Sequence, residues 1–223
     1  SRRTGQSPLP PASWATILTA PLSLPFWSRT PPEPQKRPRP YPTNTPGWWG
    51  GAHPFSLLEW SVVHNGEISS YDANRRYIEQ FGYVCTMQTD TEVITYLFDH
   101  LIRHHQLPID VAADVLTAPE WDEIDRMDPE RKEYFTNLRS IYNGALVNGP
   151  FSVILGSNKG LLAINDRLKL RSLTAATKGN RAYFASEESA IRVICPHPEK
   201  VWSVSGAEPV FIPLELAKEE DDD

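Results

Sequence analysis

This 223-residue chain predicts an α+β fold, and three observations carry the prediction. Apolar residues recur at helical spacing only in a middle block, from about Ser70 to Gly144. Short apolar runs bounded by turn residues lie on either side of that block. Ten of the 21 prolines crowd into residues 1–40, so regular patterning begins at Tyr41. Helices gathered in the middle with strands around them make a layered α+β domain.

Each element follows from local chemistry. The run Leu57 to Val63 reads as a strand that ends in His64-Asn65-Gly66, because Asn-Gly tolerates the positive φ of a turn. Ser70 to Phe81 reads as a helix, with Ala73, Tyr77 and Phe81 every four residues and Gly82 as its C-cap. Thr89 with Glu92 three residues on is a capping-box pattern, and the helix it opens puts Val93, Leu97 and Leu101 on one face. Asp110 to Leu116 predicts a further short helix. Asp128-Pro129 predicts an N-cap followed by proline at the first helical position, opening a helix through Phe135, Leu138 and Tyr142. Beyond Gly149 the period changes to strands: Phe151 to Leu155 and Leu161 to Ile164 flank the turn Ser157-Asn158-Lys159-Gly160. More strands are expected at Arg181 to Ala185, Val201 to Val204 and Pro209 to Pro213, with a short helix capped by Ser186-Glu187-Glu188. Three divisions result: a Pro-rich basic segment over 1–40, a domain over 41–214, and an acidic tail over 215–223.

Composition narrows the function classes. The formal charge of -6 argues against nucleic acid as the main partner. Residues 1–40 hold six basic residues and one acidic, hence +5, which leaves -11 for the rest. Proline at that density blocks helix and central strand alike, so 1–40 is expected to be disordered, or non-native text from a misplaced start or shifted frame. Two cysteines make no disulfide framework and fit reduced thiols in the cytoplasm. No apolar run reaches the roughly 18 residues that read as a membrane span, so no membrane partner is expected.

Three segments in fixed order carry a specific resemblance. They are Thr43-Asn44-Thr45, His64-Asn65-Gly66-Glu67-Ile68 and Thr89-Asp90-Thr91-Glu92. A fourth match runs from Gly149-Pro150-Phe151 through Asp166, Arg171-Ser172-Leu173 and Ala185-Ser186-Glu187-Glu188. This pattern resembles the glutaminase domain of class II glutamine amidotransferases, and within them the glutamate synthase type. The resemblance implies the four-layer αββα sandwich of N-terminal-nucleophile hydrolases, incomplete here at its N-terminal strands. It implies hydrolysis of L-glutamine to glutamate and ammonia by an N-terminal cysteine. The ammonia would pass to a glutamate synthase-type partner subunit that carries flavin and iron–sulfur chemistry, so no cofactor is expected in this chain. Ser1 stands first here, and the chain as given is expected to be inactive. A non-catalytic glutamine-binding or scaffolding subunit is the alternative.

The resemblance assigns roles residue by residue. Asn65 would give its side-chain amide, and Gly66 its backbone N–H, to a developing oxyanion; outside the motif, Asn-Gly is an ordinary turn. Asp90 would pair with the α-ammonium of glutamine, where a plain helix start would equally favour a carboxylate. Glu92 reads as a capping residue. The family grips the glutamine α-carboxylate with an arginine just before the aromatic that precedes T-N-T. Pro40 holds that slot; Arg39, one residue earlier, takes the role only with a bulge, and otherwise the match begins at Tyr41 and the arginine is lost. Trp48-Trp49-Gly50-Gly51 reads as a lid over the substrate or as core packing. Asp166 and Arg171 predict a structural ion pair. His100 and His104 stand i, i+4 without the glutamate of a zinc motif, and read as the solvated basic end of a helix. Cys195-Pro196-His197 has no assigned role, and no metal site is expected.

Overall fold

The computed structural model describes residues 18–21 and 53–214. Among them the strands form two antiparallel sheets. One runs in the order β2 (Phe55–Leu57), β3 (Trp60–Gly66), β4 (Phe151–Ser157), β5 (Gly160–Asn165), β9 (Val210–Pro213). The other runs β1 (Leu18–Pro21), β7 (Arg181–Ala185), β6 (Thr174–Lys178), β8 (Lys200–Ser203).

Alternation along these strands sorts the core into three seams. Trp60, Val62, Phe151, Val153, Leu155, Leu162 and Ile164 face the helices α1 (Tyr71–Glu79), α2 (Asp90–Asp99), α3 (Ile109–Thr117), α4 (Trp121–Ile124) and α5 (Pro129–Ile141). Their neighbours Ile154, Leu161 and Ala163 face the second sheet, meeting Ala175, Ala182 and Phe184. On the far side of that sheet, Ala176, Tyr183 and Ala185 pack on Ile191 of α6 (Glu188–Ile194) and on Cys195. Helices, sheet, sheet, helix: this is the αββα sandwich, and the α+β class holds. The alanines facing both seams let the two sheets and α6 approach closely.

Local deviations have local causes. The strand expected over 57–63 is a hairpin, since Leu58 takes φ +51 and Leu57 pairs with Trp60. β3 then runs through Gly66, which pairs with Phe151, so Asn65-Gly66 ends a paired strand instead of forming a turn of its own. The α5 cap is as the sequence predicts: the Asp128 carboxylate accepts from Arg131 N at 3.1 Å. The Thr89–Glu92 capping box does not form. Glu92 is fully buried and reaches further back, accepting from the backbone N–H groups of Thr86 at 2.9 Å and Met87 at 2.8 Å. It fixes the loop into α2 where a cap would fix one turn. β6 was not foreseen, because Thr-Ala-Ala-Thr-Lys carries little hydrophobic signal. Leu18–Pro21, within the segment expected to be disordered, pairs with β7 as an edge strand, a position that tolerates proline because one side needs no donors. Arg39, the Thr43-Asn44-Thr45 segment, the Trp48–Gly51 loop and the 215–223 tail lie outside the described residues.

Candidate functional site

The end of β3 is built by close backbone approach. Gly66 sits at φ +142, and a Cβ there would lie 2.0 Å from Pro150 O and 2.8 Å from Phe151 Cα. Gly149 mirrors it at φ +117, where a Cβ would lie 2.4 Å from Glu67 O. Glu67 N donates to Pro150 O at 3.0 Å, so the two glycine-bearing segments clasp each other. Only glycine fits either position.

Two faces of this strand end carry polar groups. Asn65 turns toward the second sheet, where its Nδ2 donates to Ser186 Oγ at 3.1 Å. An amide has two N–H donors, so Ser186 orients the group and leaves one donor over. His64, the next side chain back, turns toward α2 by strand alternation. Its Nδ1 lies 3.2 Å from Asp90 Oδ1 and 3.4 Å from Thr91 Oγ1. Asp90, at the first position of α2, also accepts from Ile68 N at 3.4 Å. Thr91 Oγ1 continues the network to His53 Nε2 at 2.8 Å. Asp90 thus reaches the same strand end as Asn65-Gly66, while Asn65 and Asp90 are engaged by different layers.

Electrostatics favour charge at Asp90. Burial opposes ionisation, but the hydrogen bond and charge of His64 and the N–H groups of Ile68 and Thr91 outweigh it, holding the carboxyl below its ordinary range. The helix N-terminus adds in the same direction. Burial first, then the charge of nearby His64, pushes His53 below the ordinary imidazole value.

Other sequence candidates resolve differently. His100 is not a solvated helix end. It is 3 % exposed, at the start of a π-helical turn over His100–His104, packed on Phe81 at 4.1 Å between ring centroids. Its Nε2 lies 3.0 Å from Nε2 of His105. The Asp166 carboxylate accepts from the backbone of Leu170 and Arg171 at 3.0 and 3.1 Å, so it caps a turn and holds Arg171 by its main chain. The neighbouring Arg167, missed in the sequence, is buried and pairs with Glu120 at 3.1 Å and the Val147 carbonyl at 3.2 Å. Ser186 and His64 were also missed as functional neighbours; the H-N-G and A-S-E-E motifs contain them, but only the fold says what they touch. Cys85 and Cys195 are buried, and burial pushes the Cys85 thiol up to about 11. Among the described residues no group of three or more His, Cys, Asp or Glu is placed to hold a metal ion, and no helix is long and apolar enough to cross a membrane.

No family model matches the chain. It is similar to an uncharacterized protein of Archaeoglobus fulgidus, 48% identical over 180 residues, which cover 81% of this chain and 48% of that one. It is 32% identical over 162 residues to a glutamine–fructose-6-phosphate aminotransferase of Pseudomonas aeruginosa, covering 70% and 24%. To an amidophosphoribosyltransferase of Pyrococcus horikoshii it is 27% identical over 135 residues, covering 60% and 24%. The chain therefore spans about half the length, or less, of these curated relatives. A solved structure described as the allosteric regulatory enzyme of purine biosynthesis overlays 75% of this chain and 30% of its own at a TM-score of 0.49, with 18% identity.

Proposed function

From a chain whose motifs and relatives are those of class II glutamine amidotransferases, we propose that this domain takes L-glutamine and releases its amide nitrogen as ammonia. One observation carries the reading: Asp90, a half-buried carboxylate held in its charged form, reaches the strand end that bears Asn65 and Gly66. The α-ammonium of glutamine is the natural partner of Asp90. The second N–H of Asn65 and the backbone of Gly66 suit an oxyanion at the amide carbon. Attack by a cysteine thiolate on that carbon gives a tetrahedral oxyanion; ammonia leaves, a thioester remains, and water then yields glutamate.

The thiolate comes from the N-terminal cysteine of the mature chain in the family this sequence resembles. Neither internal cysteine suits the role, since both are buried and Cys85 holds its proton far above neutral pH. A subunit that binds glutamine without hydrolysing it is the second reading. The ammonia acceptor, on the motif resemblance, is a glutamate synthase-type partner in the cytoplasm. Arg39 remains the candidate for the α-carboxylate of glutamine.

Titration calorimetry of the full chain with L-glutamine tests the site. Saturable binding is expected, weakened at least tenfold in Asp90→Asn. Binding that is absent, or unchanged in that variant, overturns the reading. An ammonia-release assay then separates hydrolysis from binding alone.

A further inference from the structure

Behind the strand end, His53, Thr91, His64 and Asp90 form one chain of contacts, of which the site as described uses only the last member. We propose that His64 is a positioning residue, which aims the Asp90 carboxylate at the amino end of an α-amino-acid amide. The inference rests on the glutamine reading above and adds the group that makes its ammonium site directional.

The geometry runs one way. A carboxylate only accepts, so Nδ1 of His64 carries the hydrogen in the 3.2 Å contact with Asp90 Oδ1. Backbone N–H groups of Ile68, at a long 3.4 Å, and of Thr91 also reach the carboxylate, and His64 adds the side-chain contact. The His64 side chain is itself buried, at 2 % exposed, while that of Asp90 keeps 19 %. One partner is therefore sealed in the wall and the other opens outward. Thr91 Oγ1 lies close enough to His53 Nε2 to donate there, which leaves its lone pair for a share of the same His64 hydrogen.

A filler role would be served better by another residue. Nε2 of His64 is buried with no hydrogen-bond partner among the described residues. A buried ring nitrogen without a partner costs stability, and leucine would fill the space without it. The polar ring is explained by what Nδ1 does for Asp90.

The test compares L-glutamine with glutaramate, the same amide lacking the α-amino group, by calorimetry on the full chain. Three variants are used after circular dichroism confirms their fold. His64→Asn keeps a donor near the Nδ1 position, whereas His64→Leu removes it and Asp90→Asn removes the charge. The wild type should prefer glutamine; His64→Leu should lose roughly tenfold of that preference, about one charge-assisted hydrogen bond, and leave glutaramate binding unchanged. His64→Asn should keep most of it. If His64→Leu retains the preference while Asp90→Asn abolishes it, His64 is filler and the proposal falls with the glutamine reading intact. Carboxyl carbon NMR of Asp90 without ligand is an independent readout. Its titration should move toward higher pH in His64→Leu and stay near wild type in His64→Asn; an unmoved titration in His64→Leu overturns the proposal even where no ligand binds.

Discussion

The two ends of α2 pair a carboxylate with a basic side chain in opposite styles. At the C-terminal end Asp99 is 1 % exposed. It accepts from Arg103 Nε and Nη2 at 2.7 Å each and from Tyr83 Oη at 2.5 Å. Burial opposes its ionisation, but those donors outweigh burial and keep the carboxyl below its ordinary range. At the N-terminal end Asp90 keeps one histidine contact at 3.2 Å, a long contact to Ile68 N, the N–H of Thr91 and a partly open face. A carboxylate saturated by its own chain is structure, and has no capacity left for a ligand. One held in its charged form but left half-satisfied is what a cationic group can bind. The same helix therefore carries a finished joint and an unfinished one.

Four measurements put that contrast at risk, taken in order of falling effect. Gly66→Ala should be the most damaging. Its Cβ would strike Pro150 O at 2.0 Å, at a φ that alanine rarely adopts. A loss of about 3 kcal/mol or more in urea unfolding is expected; a loss under about 1 kcal/mol would mean that the glycine clasp at the strand end is loose.

Asp99→Ala comes next. It strips the partner from Tyr83 Oη and from Arg103, whose side chain is half exposed and can turn to water. About 2 kcal/mol is expected, read by the same unfolding experiment. A near-neutral result would remove the distinction between the two ends.

The third test is pH. Burial first, then the charges of His105 and His104, pushes His100 down to about 4. In the unfolded chain a histidine titrates near 6.5. The unfolded state therefore binds a proton that the folded state refuses, and stability is lost as pH falls from about 6.5 toward 4. Between pH 7 and 5 the loss should be about 1–2 kcal/mol, and His100→Phe should flatten it. An equal slope in that variant would place the sensitivity elsewhere, with His53 the next group to examine.

Smallest in stability is Asp90→Asn, which should cost about 1 kcal/mol or less because one contact is long and the face is open. Its effect belongs in ligand binding. If Asp90→Asn destabilises as much as Asp99→Ala, both ends are structural and the candidate site loses its argument.

Much of this was legible in the sequence, for reasons that differ by element. Asp128-Pro129 predicted the α5 cap because that signal is local: one carboxylate, one N–H three residues on. Thr89-Glu92 looked equally local and failed, because Glu92 found two N–H groups in the preceding loop and took them instead. β6 was invisible since its inward residues are alanines, chosen by the space between sheets. The hairpin at Leu58-Glu59 was missed because nothing in Leu-Glu advertises positive φ. His100 was misread as solvated, since i, i+4 spacing says nothing about which side of a helix meets Phe81, Tyr77 and Tyr83.

Spacing along the chain was enough for the α+β class, the order of most elements and the identity of the three motif segments. Capping, turn chemistry and hydrophobic period act within a few residues, so they can be read without coordinates. Which groups meet is a different matter, and it was settled only on folding. Gly66 stands against Pro150, Asn65 against Ser186, and Asp90 against His64, pairs separated by 84, 121 and 26 positions. No local rule sets such contacts, because they depend on how β3, β4, α2 and the segment after β7 are brought together when two sheets and their helices close over one core.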